Sequence, residues 1–174
     1  MTEQSFKNII RNIPDFPQPG IQFKDITTAL KSPEHLRWMR DEVVRLYRDK
    51  GITQVVGLES RGFIIGPAIA MDLNAGFVPI RKPGKLPADV IEMSYTKEYG
   101  TDIIQIHKDA LCKEDIVLLH DDLLATGGTM EAAIKLVKKM GVRKIYVNFL
   151  IELDFLKGRN ALDSDVEISS LIHF

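Results

Sequence analysis

Cysteine is nearly absent. Cys112 is the only one in 174 residues, so neither an internal disulfide nor a cysteine cage for a metal is available, and a cytoplasmic home is the simplest expectation. An excess of one charge is also missing: 23 lysines and arginines face 24 aspartates and glutamates, a net charge of −1 that argues against a nucleic-acid partner held by bulk basic charge. No run approaches the ~18 apolar residues that cross a bilayer. The opening MTEQSFKNII lacks the basic region and apolar core of a signal peptide, so no membrane partner is expected. Repeats, low-complexity tracts and linker-like runs are absent too, which predicts one domain over 1–174. What is present is ordinary globular composition, 45% hydrophobic and 27% charged, so specific chemistry has to come from local motifs.

The apolar pattern predicts alternating strands and helices. An N-terminal helix is expected over roughly Glu3 to Asn12, ending before Pro14, Pro17, Pro19 and Gly20, with FPQPGIQF as an ordered loop. Ser32-Pro33-Glu34 supplies an N-cap, a first-turn proline and an early acid. Leu36, Met39, Val43 and Leu46 then recur at helical spacing up to Gly51. The apolar run VVGL, a helix over about Phe63 to Leu73 and the strand Gly76 to Ile80 make a βαβ unit with a right-handed crossover. From Lys82 to His107 the composition shifts to proline, glycine and alternating residues, which reads as a hairpin or mobile flap with EYGTD at its turn. The strand Ile116 to Leu119, a helix from Met130 to Met140 stopped by Gly141, and strands Ile145 to Ile151 and Val166 to Ile172 complete a doubly wound α/β pattern.

The strongest chemical signal is IVLLHDDLLATGGTM. A buried strand is expected to end in Asp121 and Asp122, and Thr126-Gly127-Gly128-Thr129 then opens a helix. A small glycine-containing turn at a helix N-terminus exposes backbone N–H groups along the positive end of the helix dipole, which suits a phosphate. The two carboxylates can accept from sugar hydroxyls or hold a divalent cation. No lysine follows the glycines in a Walker A frame, and adjacent glycines are not a dinucleotide fingerprint.

This block resembles the ribose-phosphate signature of type I phosphoribosyltransferases, and DDLLATGGT is most similar to their adenine branch. FPQPGIQFKDI, GLESRGFIIG, FVPIRKPGKLP, SYTKEYG and LKGRNAL extend the resemblance over nearly the whole chain. It implies the type I phosphoribosyltransferase fold: a central, mainly parallel sheet flanked by helices, with an N-terminal hood over 1–32 and a flexible catalytic loop over 82–107. The implied reaction is purine salvage. A 5-phosphoribosyl group passes from 5-phosphoribosyl 1-diphosphate to N9 of adenine, giving AMP and diphosphate. Mg2+ is held mainly through substrate and water, with no direct protein ligand assigned. A homodimer is implied as well.

Residue by residue, the resemblance places Ala125, Thr126, Gly127, Gly128 and Thr129 around the 5-phosphate, and Asp121 and Asp122 at the ribose hydroxyls as catalytic acids. Glu59, Ser60, Arg61, Arg81, Lys82, Lys85 and Tyr99 fall at the diphosphate, with a cis peptide at the start of the ESR loop. Glu98 is implied as the loop carboxylate that assists proton transfer. Gln22, Phe23 and Lys24 form the adenine shelf, Phe23 by stacking and its neighbours through backbone groups. Two residues depart from many relatives: Lys24 stands for arginine, which removes the planar fork, and His120 stands for an apolar residue. His120 reads as a structural, hydrogen-bonded histidine. His35, His107 and His173 show no metal-ligand spacing, and Cys112 reads as incidental.

Overall fold

A short continuous apolar run bounded by polar turns is buried on both faces only when helices cover both sides of a sheet. The computed structural model describes every residue except 17, 18, 21, 98 and 99, together with the side chains of 96 and 97 left aside. Such runs form four of its five central strands: β3 (Gln54–Leu58), β4 (Gly76–Ile80), β7 (Ile116–Leu124) and β8 (Lys144–Glu152). With β9 (Glu167–His173) they make a sheet of order β4-β3-β7-β8-β9, parallel at every pairing. The helices α3 (Pro33–Tyr47) and α4 (Gly62–Asp72) close one face over Val55, Leu118, Tyr146 and Ile151. On the other face α5 (Gly128–Lys139) packs on Val56, Leu119 and Val147. Chain order reverses between β3 and β7, and a doubly wound sheet binds its ligands beyond the carboxyl ends of the strands at that point.

The N-terminus differs from the helix expected there. Helix α1 (Glu3–Lys7) ends at the Asn8 cap, and β1 (Arg11–Pro14) pairs antiparallel with β2 (Gln22–Asp25). The spacing of Phe6, Ile9 and Ile10 mimics a longer helix, but cross-strand pairing takes the backbone from Arg11 onward, and Arg11 bonds Asp25 at 2.5 and 3.0 Å. Gln22 and Phe23, assigned to a loop in sequence, are therefore strand residues; part of that loop lies outside the described residues. A one-turn helix, α2 (Thr27–Leu30), follows. Helix α3 stops at Tyr47, before the expected Gly51.

Between β4 and β7 the chain forms the expected hairpin, β5 (Val90–Lys97) against β6 (Gly100–His107). Of the expected EYGTD turn, Glu98 and Tyr99 lie outside the described residues, and Gly100, Thr101 and Asp102 are instead strand residues of β6, paired with Lys97, Thr96 and Tyr95. The hairpin is not a detached excursion: Tyr95, Ile104 and Ile106 enter the α5-side core, and Gln105 bridges Arg81 just after β4. A second correction falls on β7, which runs through Asp121 and Asp122 to Leu124, because Leu123 and Leu124 still pair with Ile151 and Glu152 of β8.

Candidate active site

Two loops meet at the switch point. The first leaves β3 through a cis Glu59–Ser60 peptide and enters α4 at Gly62. The second leaves β7 and enters α5, with Gly127 as N-cap in the left-handed region (φ 88°), where no side chain caps the helix. The first-turn N–H groups of α5 thus have no side-chain cap and lie beside the exposed Thr126 and half-buried Thr129. Glycine is required at Gly127 twice over, since a Cβ would also strike the Gly158 carbonyl oxygen. Gly158 in turn has room for no Cβ against Ala125, so the LKGRNAL segment buttresses the glycine turn from beneath. Sequence reasoning saw that segment only as a matching block; Lys157, a non-glycine residue at φ 51°, marks the tight approach.

The β3 and β7 ends are in contact. A Cβ on Gly62 would lie 2.5 Å from the His120 carbonyl oxygen and 3.4 Å from Asp121 Oδ1, so glycine lets α4 start against the acidic strand. Asp122 is buried, and Asp121, half-buried, accepts from the Asp122 amide at 2.9 Å. Burial raises the pKa of both carboxyls. The neighbouring Asp122 charge raises Asp121 further, well above the ordinary range, whereas Arg61 pulls Asp122 back down. Arg61 Nε lies 3.0 Å from Asp122 Oδ2, close enough for an ion pair, although the oxygen has no aligned hydrogen-bond donor.

Arg61 also stacks on Phe23, 5.2 Å from guanidinium carbon to ring centre, and Phe16 meets that ring edge-on at 5.1 Å. One side chain therefore joins the aromatic shelf of the N-terminal hairpin to the acids of β7. On the same hairpin the Gln22 side chain accepts from Asn12 at 2.6 Å. The Lys24 ammonium sits 4.2 Å from the Phe174 ring centre, so its charge is directed at the C-terminus.

Glu59 holds the cationic segment after β4. Its carboxylate accepts from the Lys82 amide at 2.8 Å and from Arg81 at 3.2 and 3.4 Å. The Lys82 amide, then Arg81, keep its pKa below the usual range against the opposing effect of burial. Glu59 is thus a tether between the two expected diphosphate segments. Ser60 and Lys85 are exposed beside it, and the Lys85 carbonyl accepts from Arg81 at 3.3 Å. Glu98 and Tyr99 lie outside the described residues.

His120 is fully buried, its Nδ1 3.0 Å from Asn148 Oδ1, and burial lowers its pKa to about 4. Asn148 donates to Ser169 at 2.9 Å and Ser169 meets the Tyr47 hydroxyl at 2.7 Å, so Nδ1 of His120 joins a polar thread, while its buried Nε2 has no partner among the described residues. One grouping that sequence spacing did not suggest is Glu152, Asp154 and His173, whose ligand atoms lie within 4.8 Å of one another. Arg159 already neutralises Glu152 through two bonds of 2.7 Å. No helix among the described residues is long and apolar enough to cross a membrane.

Residues 27–168 match the phosphoribosyl transferase domain. The chain is 60% identical over 172 residues to the adenine phosphoribosyltransferase of Bacteroides thetaiotaomicron, covering 99% of this chain and 98% of that protein. It is similar to the crystal structure of adenine phosphoribosyltransferase from Rhodothermus marinus, with 49% identity, a TM-score of 0.93, and 98% and 97% of the two chains covered. The Saccharomyces cerevisiae enzyme, solved with an imino-altritol bisphosphate and adenine, is 38% identical with a TM-score of 0.91, and 98% of each chain is covered. Agreement at this identity, over both full lengths and in three dimensions, places the chain in the adenine phosphoribosyltransferase family.

Proposed function

We propose that the protein transfers the 5-phosphoribosyl group of 5-phosphoribosyl 1-diphosphate to N9 of adenine in purine salvage, releasing diphosphate and forming AMP, in the cytoplasm. The carrying observation is the pairing of a glycine-capped helix start with two adjacent carboxylates at the end of β7, directly against the ESR loop of β3. In this reading the domain spans 1–174, with 1–32 as the hood and 82–107 as the catalytic loop. The α5 N-terminus, Ala125 to Thr129, holds the 5-phosphate. Asp121 and Asp122 accept from the ribose hydroxyls and stabilise the positive charge that grows on the ring as the diphosphate leaves with its electron pair. Arg61, Arg81, Lys82 and Lys85 receive the diphosphate beside Glu59 and Ser60, with Tyr99 of the loop. The adenine ring stacks on Phe23, and the backbone at Gln22 and Lys24 reads its amino edge. A carbonyl and an N–H so placed are mispaired with a 6-oxopurine, at ~1–3 kcal/mol for each buried group. Glu98 assists removal of the N9 proton.

The hard carboxylate oxygens of Asp121 and Asp122, one of them without an aligned donor, suit the water shell of Mg2+. Bound with the substrate, that ion neutralises diphosphate charge. The Arg61 contacts add a further step, because purine stacking on Phe23 and a ribose at Asp122 both require the guanidinium to move toward the diphosphate. An assay with Mg2+ and 5-phosphoribosyl 1-diphosphate, offering adenine, hypoxanthine, guanine and orotate in parallel, tests the reading. AMP is expected from adenine alone, and failure to form it by a folded protein sinks the proposal.

A homodimer is part of the same reading. Along α4, Ile64, Pro67 and Met71 form an exposed apolar stripe at helical spacing, with Ile64 and Met71 45% and 79% accessible. A second copy of this chain would cover it.

A further inference from the structure

Tyr95 carries none of the roles assigned so far, yet its phenol lies between the two anion-binding segments. The residue sits on β5 with 9% of its surface exposed, in the same buried cluster as Ile104 and Met130. Its hydroxyl oxygen accepts from Thr129 Oγ1 at 3.1 Å and from Lys82 Nζ at 3.4 Å, and its proton goes to Asp102 Oδ2 at 3.1 Å. Lys82 pairs with the same Asp102 carboxylate and lies 5.7 Å from the centre of the Tyr95 ring. Both lone pairs and the one proton of the phenol thus have partners.

We propose that Tyr95 is a positioning residue that joins Thr129, at the 5-phosphate end, and Lys82, at the diphosphate end, into one hydrogen-bonded unit. The inference rests on the substrate reading above. A threonine hydroxyl rotates freely and a lysine ammonium rides on a flexible stem, so each must otherwise be ordered when its phosphate arrives. Ordering them beforehand lowers the entropic cost of binding. Because one buried phenol orders both, the ends of a substrate carrying a phosphate at each extremity meet side chains already in place: the Thr129 rotamer is fixed beside its own first-turn amide, and Lys82 keeps one ammonium proton beyond those given to Tyr95 and Asp102. The ring is held in the core beside Ile104 and Met130, so β5 contributes to the site through a residue that is already fixed.

Tyr95→Phe keeps the ring and removes only the oxygen. Two probes read the ends separately by calorimetry: ribose 5-phosphate, and inorganic diphosphate with Mg2+. The expected result is a loss of about three- to tenfold in affinity for each, with a melting temperature close to that of the parent. In steady state the KM for 5-phosphoribosyl 1-diphosphate rises, while kcat and the KM for adenine hold, the pattern of lost uniform binding. Unchanged affinity for both probes, or loss at one end only, overturns the proposal. A parallel fall in adenine affinity and melting temperature also overturns it, since that is the pattern of a packing residue. Should Tyr95→Phe fail to fold, Thr129→Val carries the test. It leaves the phenol in place and must weaken diphosphate, at the remote end, as well as ribose 5-phosphate; loss of ribose 5-phosphate alone overturns the link. Parent protein that binds neither probe removes the substrate reading itself, and the inference with it.

Discussion

Two adjacent carboxylates withdrawn from water repel one another and lose hydration, and each cost is relieved by a proton. Asp121 and Asp122 are in that position, with Arg61 as the nearby cation. Their folded-state pKa values lie above those of the unfolded chain, so their contribution favours the fold below the ordinary value of 3.8 and is lost as pH rises through the raised values. Asp121→Asn is therefore expected to stabilise the ligand-free protein near pH 7, by ~2–4 °C in melting temperature if the relief is about 1 kcal/mol. Below about pH 3.8 that gain should vanish. The same substitution should lower kcat by about 10²-fold, because charge aimed at the developing cation is removed. Calorimetric melts against pH and steady-state rates check both halves. A variant that melts lower than the parent at neutral pH contradicts the electrostatic account.

At the scale of elements, the site depends on how closely the β7–α5 turn and the segment after β8 approach. Gly127 and Gly158 meet backbone oxygens, whereas Gly84, at φ 75° in the basic segment, has nothing within 4 Å of an added Cβ. Gly84→Ala should therefore cost only the left-handed backbone penalty, ~1 kcal/mol. Gly158→Ala has to displace the Ala125 carbonyl, and with it the uncapped amides at the start of α5. Ribose 5-phosphate affinity is expected to fall more than tenfold in Gly158→Ala and less than twofold in Gly84→Ala. Titration of both variants with that ligand separates turn geometry from general destabilisation.

At the scale of the whole molecule, α4 is buried on one side by Ile65 and Ile69 and carries Ile64, Pro67 and Met71 on the other. The helix begins at the ESR loop, so an assembly formed through it would brace the diphosphate segment. On the homodimer proposed above, Met71→Glu in the stripe should leave a monomer in light scattering where the parent is dimeric. It should also raise the KM for 5-phosphoribosyl 1-diphosphate, while the far-ultraviolet circular dichroism stays unchanged. A dimer that survives both Met71→Glu and Ile64→Lys would place the interface elsewhere.

The apolar runs VVGL and IVLLH and the helical spacing of Met130 to Met140 are local patterns, and local patterns suffice for a parallel α/β sheet with an acidic, glycine-rich turn after β7. The N-terminal helix expected from the same local spacing is too long, since β1 exists through its pairing with β2 and not through its own periodicity. Only the tertiary structure decided that Arg61 spans Phe23 and Asp122, that Glu59 holds Arg81 and Lys82, that Gly158 lies under Gly127, and that Tyr95 joins Thr129 to Lys82. Each is a contact between segments distant in the chain, set by which strands neighbour one another and how tightly their loops pack. A residue's own neighbours in sequence carry no trace of that geometry, whereas the chemistry each side chain can offer is written in the sequence alone.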